Sequence, residues 1–135
     1  MPLVSNESES QYWEPMARGP VAQLDLTARL PATVAATGNF TALYNGDGYG
    51  QITLGLTSSQ AGLVTIQRYL DIAGTILNPS AAFTPVAIVV ATPLIVNVGQ
   101  TAVDNLAYRS FKIIITNSSG TIANLTAVAL VLLAQ

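Results

Sequence analysis

The chain has 135 residues, enough for one domain with a sizeable core, yet only 9% are charged, against roughly 25% in an average globular protein. Half of the residues are hydrophobic and the net charge is -2, so the surface either relies on Ser, Thr, Asn and Gln for solubility or is covered by partners; partners are the expectation. With no Cys and no His, disulfides, thiolate chemistry, structural zinc and a Ser-His-Asp triad are excluded, and the few basic residues form no phosphate-binding stripe.

Residues 1–22 read as an extended arm. The stretch "SNESESQYWEPMARGP" is acidic and polar, the reverse of a signal peptide, and Pro15 and Pro20 oppose a stable helix. It holds the only Trp. Tyr12, Trp13, Glu14 and Arg18 are therefore the candidate anchor that orders on a partner, and the alternative is a frayed terminus.

From residue 23 to 135 the pattern predicts a single all-β domain, an antiparallel sandwich. "QLDLTARLP" alternates, with Leu24, Leu26, Ala28 and Leu30 on one face. "NGDGYG" (45–50) predicts a hairpin turn; Asn45 and Asp47 alone make a poor calcium site. In the next strand Ile52, Leu54 and Leu56 share a face. After "TSSQAG" comes "GLVTIQRYLD", in which Arg68 falls on the apolar face with Val64, Ile66 and Leu70. Such a charge either blunts a sheet edge, joins an ion pair inside an interface, or snorkels to water past the end of the strand. Asp104, Asp25 or an acid of another subunit is the expected partner if an ion pair forms.

The uncharged run 72–103 is long enough for a membrane helix, but Pro79, Pro85 and Pro93 interrupt it, and its β-branched content suits strands around 83–90 and 93–98. Further strands are predicted at 108–117 and, after a "SSG" turn, along 121–134. Two of them, 111–116 and 123–133, are apolar on both faces, with Val128, Leu130 and Leu132 expected on one side of the last strand and Leu125, Val131 and Leu133 on the other. A second apolar face predicts cover by another subunit. Arg68, Ile114, Val128, Leu130, Val131 and Leu132 are the candidate interface residues, around a threefold axis. Asp25, Asp47, Asp71 and Asp104 are scattered, so no carboxylate pair for hydrolysis is evident. No enzyme activity, cofactor, metal, nucleic acid or membrane is expected.

A segment of the form Q-R-Y-x-D-x-x-G-T ahead of a closing pair of strands resembles the small β-sandwich capsid decoration, or cement, proteins of tailed bacteriophages. The matching positions are Gln67, Arg68, Tyr69, Asp71, Gly74, Thr75, Phe111, Thr116, Asn117 and Gly120, within residues 36–135; the arm lies outside the match. The resemblance implies a jelly-roll-like trimer on the outer surface of a phage head, with the major capsid protein as partner. The alternatives are a glycan-binding host-recognition module of a fibre, spike or baseplate, and a trimeric surface module outside viruses.

Overall fold

A computed structural model describes residues 23–78, 85–99 and 107–134; the predicted anchor residues Tyr12, Trp13, Glu14 and Arg18 lie outside this range, as does Asp104. The strands are β1 (Gln23–Asp25), β2 (Thr33–Val34), β3 (Asn39–Asn45), β4 (Gln51–Ser58), β5 (Gly62–Tyr69), β6 (Val86–Ile88), β7 (Leu94–Gly99), β8 (Ser110–Asn117) and β9 (Ala123–Leu133). The predicted alternation holds well in β4, where Ile52, Leu54 and Leu56 are buried, and in β8, where Phe111, Ile113 and Ile115 are buried. The "QLDLTARLP" strand is shorter than its pattern. Asp25 Oδ1 accepts a hydrogen bond from the Thr27 amide at 2.9 Å, which turns the chain into a 3-10 turn at Thr27–Arg29 and ends β1 early.

One sheet has the order β1-β9-β4-β7, with β2 also paired to β9; the other has the order β3-β8-β5-β6, and every pairing is antiparallel. With β1 and β2 counted as one interrupted strand, this is an eight-stranded jelly roll. Among the consecutive strands from β3 onward, only β5 and β6 pair with each other. The turns 46–50 and 59–61 pass from one sheet to the other, so "NGDGYG" is an arch between sheets and not the hairpin its residues predict. The same Asn and Gly chemistry serves both geometries. The run 72–103 supplies β6 and β7, and no helix among the described residues is long and apolar enough to cross a membrane.

The core lies between the sheets. Tyr44 stacks on Phe111 with ring centroids 5.4 Å apart, and Tyr108 meets Phe111 edge-on. Gly62 sits so close to β8 that a Cβ would lie 1.9 Å from the Thr116 carbonyl oxygen, so no larger residue fits there.

The last strand departs from the predicted phase. Its register against β4 shifts between Thr126 and Ala129, and Ala127 takes a φ of 50°. This bulge adds one residue and brings Leu125 onto the same face as Val128, Leu130 and Leu132. Beyond the bulge Ala129, Val131 and Leu133 turn outward. Arg68 keeps its predicted face but not its snorkelling role. β5 runs through Tyr69, and Arg68 is 3% exposed beside Val64 and Ile66. It does not blunt an edge either, because its carbonyl accepts from the Asn78 amide at 3.1 Å as the following loop continues the sheet.

Candidate interaction surfaces

The residues of the Q-R-Y-x-D-x-x-G-T segment close the loop that follows β5. Tyr69 donates its hydroxyl to Gln67 Oε1 at 2.9 Å. The Asp71 carboxylate accepts from the Thr75 amide at 2.9 Å, the Ile76 amide at 2.8 Å and the Thr75 hydroxyl. These bonds, the Thr75 hydroxyl first, hold the Asp71 carboxyl below its usual range. Gly74 takes a φ of 70° and lies against the Leu43 side chain, where a Cβ would come within 2.7 Å. Ser110 Oγ donates to the Asp71 carbonyl, so the loop is fastened to β3 and β8. Asn117, at the far end of β8, plays a matching part. Its side-chain amide donates toward Val34 O (3.3 Å), Ala35 O (3.1 Å) and Thr121 O (2.8 Å), and its Oδ1 accepts from Ser119 N at 2.9 Å. The motif residues thus build the fold; none forms a reactive cluster.

The two ends of the sandwich differ in charge. At one end the turns 35–38, 59–61, 89–93 and 118–122 are tied by backbone bonds, Thr37 N to Ser119 O, Ser118 N to Ala61 O, Ser59 N to Asn124 O and Ala91 N to Ser58 O. None of these turns contains a charged residue. Val89, Val90 and Ile122 are exposed there, and Thr37 and Ala91 hold φ values of 50° and 57°, which L residues adopt at a cost of ~1 kcal/mol or more. The other end carries Asp47, paired with Arg109 at 3.0 Å, together with Arg68 and Asp71. Asp25, Arg29 and Lys112 lie in the same half, because Asp25 pairs with Val131, Arg29 stacks over Tyr44 and Lys112 pairs with Leu43 and Gln67. All charges among the described residues are therefore segregated from the first set of turns.

The predicted interface residues do not share a surface. Leu130 and Leu132 are fully buried in the core of the chain itself, and Val128 packs against that core, so they offer little or nothing to a second subunit. Arg68 is likewise interior. Ile114 and Val131 do face outward, but from opposite sheets, so one flat interface accommodates at most one of them. The two-sided apolar pattern signalled the outward apolar positions Ile114, Val131 and Leu133; the bulge withdraws only Leu125 from that set. Exposed Ile95, Val89, Val90 and Ile122 were not singled out by periodicity. The signal that marks the first three is an aliphatic run, "IVVATPLIV", without a charge.

The three described aspartates each serve their own neighbourhood: Asp25 caps Thr27, Asp47 pairs with Arg109 and Asp71 closes its loop. Among the described residues no group of three potential ligands could hold a metal ion. Tyr44, Tyr69 and Tyr108 are buried, and Tyr49 is half-buried. No protein-family model matches the chain, and no curated protein matches it.

Proposed function

We propose that this chain is a non-enzymatic virion protein that decorates the outer surface of a phage head as an oligomer, favouring a trimer, and stabilises the shell by bridging major capsid subunits. The observation that most supports this reading is the segregation of charge, which among the described residues leaves the turns at one end of the jelly roll free of ions. Uncharged turns with exposed Val89, Val90 and Ile122 suit a contact that is apolar and hydrogen-bonded, and so only mildly sensitive to salt. The resemblance of residues 36–135 to decoration proteins points the same way. The glycan-binding alternative asks for exposed aromatic rings, and the burial of Tyr44, Tyr69 and Tyr108 weighs against it.

A protein that binds the assembled shell better than free capsid subunits stabilises the shell by mass action, and multivalent bridging lets weak individual contacts suffice. The test compares particles with and without the protein. Undecorated particles should break at lower temperature and adsorb to cells normally; unchanged particle stability with lost adsorption would reject decoration in favour of host recognition. Val90→Asp at the uncharged end and Trp13→Ala in the arm, each scored for occupancy on undecorated particles, tell which of the two makes the main contact.

A further inference from the structure

The loop after β5 carries a second apolar patch, at the end of the sandwich opposite the uncharged turns. Leu70, Ile72, Ile76 and Leu77 are all exposed, Ile76 by 55%, which puts four aliphatic side chains at the surface within eight residues. They stand on a stiff frame. The Leu70 amide donates to Ile76 O at 2.8 Å and the Asn78 amide to Arg68 O at 3.1 Å, Leu77 bridges to Tyr69, and the Asp71 carboxylate fastens Thr75 and Ile76. The loop folds over the outer side of the β3-β8-β5-β6 sheet, where Gly74 meets Leu43 and Lys112 Nζ lies 5.4 Å from the Tyr69 ring centroid. Single surface aliphatics are ordinary, but a rigid cluster of them marks a contact.

We infer that the chain's own N-terminal arm, residues 1–22, docks on this loop. The arm joins the domain at the same end: Gln23 pairs with Leu133, whose carbonyl accepts from the Gly50 amide at 3.0 Å, beside the turn 46–50. The reach is ample. The chain after β1 runs beside β3, since Tyr44 donates its hydroxyl to Arg29 O at 3.0 Å, and the loop lies against Leu43 of β3. The way from Gln23 round that edge is one sheet separation and one or two strand spacings, ~20 Å, whereas the chain from Trp13 to Gln23 spans ~33 Å when extended. Charge points the same way. The described residues hold four basic side chains (Arg29, Arg68, Arg109, Lys112) and three acidic ones (Asp25, Asp47, Asp71), a net +1, while Glu7, Glu9, Glu14 and Arg18 give the arm a net -2. Arg109 is taken by Asp47, but no acid among the described residues pairs with Lys112, so the arm's glutamates have a cation to meet beside the loop. Tyr12, Trp13, Met16 and Val21 supply the apolar groups. A tethered segment acts at millimolar effective concentration, so a shallow contact suffices to hold it. The inference concerns the free chain and does not rest on the capsid contact proposed for the other end.

Trp13 is the chain's only Trp, so its fluorescence reports on the arm alone. In the native full chain its emission should be blue-shifted and shielded from acrylamide relative to the urea-unfolded chain. Leu70→Glu and Ile76→Glu each set a repelling charge in the patch. Both should abolish the shift and the shielding, with far-ultraviolet circular dichroism unchanged. Val90→Glu, at the uncharged end, should leave Trp13 shielded. Dilution by about a hundredfold should do the same, because a contact within one chain does not depend on concentration. A native Trp13 as accessible as in the unfolded chain overturns the inference, as does shielding that survives both loop variants or is lost equally in Val90→Glu. Shielding that fades on dilution overturns it too, by placing the arm on another copy.

Discussion

Asn117 is a single side chain holding three segments together, and its replacement should be among the costliest polar substitutions in the domain. It is 3% exposed and joins the end of β2, through Val34 and Ala35, to the 118–122 turn, through Thr121 and Ser119. Its amide has two hydrogens for three carbonyls, so at most two donated bonds and one accepted bond count at full strength. At ~1 kcal/mol net for each, Asn117→Ala should cost about 3 kcal/mol. For a domain of this size that corresponds to roughly 10–15 °C in thermal midpoint. Asn117→Asp sharpens the test because it has nearly the same shape and keeps the acceptor for Ser119. It replaces the two donors by a carboxylate facing carbonyl oxygens, so it should be worse than Ala at neutral pH. Urea unfolding of both variants, with Asn124→Ala on the exposed side of β9 as control, provides the comparison. An Asp variant as stable as the wild type, or an Ala variant within ~0.5 kcal/mol of it, would refute the hydrogen-bonding account.

The two faces of β9 should respond oppositely to charge: Leu130→Asp puts an unpaired carboxylate into the core and should abolish folding, whereas Val131→Asp should yield folded protein of lower mass, as measured by circular dichroism and light scattering. Ala91→Gly relieves a positive φ at the uncharged end and should raise stability by about 0.5–1 kcal/mol in urea unfolding, since Gly adopts this conformation without the Cβ clash. The pH dependence of Asp71 has a definite sign: folding lowers its pKa, so its contribution is present above the unfolded value and is lost as pH falls through the folded one. Thermal midpoints recorded from pH 6 to pH 2 should therefore fall less steeply below about pH 4 in Asp71→Asn than in the wild type.

Strand identity was legible wherever burial on one face imposes a period of two, as in Ile52, Leu54 and Leu56 or Phe111, Ile113 and Ile115. β3 escaped notice because "NFTALYN" is an edge strand whose inward positions include Ala42, too small to mark a face. The bulge at Ala127 was illegible for a different reason. A positive φ is normally announced by Gly or Asn, and here an alanine adopts it inside a run that looks continuous. That one residue changed Leu125 from an outward to an inward position. Partner choice was also hidden, since Asn, Gly and Ser in a turn do not say whether the chain returns along the same sheet or crosses to the other. The candidate surface itself was foreshadowed only in bulk, by the scarcity of charge; its position required the fold that gathers the turns 35–38, 59–61, 89–93 and 118–122 at one end.

The strand order has a temporal consequence. β9 lies between β1 and β4, so the middle of its sheet is filled by residues 123–133, about a hundred positions after its first edge strand. Until those residues leave the ribosome, β4 has no neighbour on that side and β1 has none at all in the sheet. Nascent β4 and β7 would wait as a pair with apolar faces uncovered. Folding by such distant pairings is slow, in the range of milliseconds to seconds, and it exposes open edges while it proceeds. The jelly roll therefore forms as one late event, and a chain that stops before residue 123 lacks the strand that closes it.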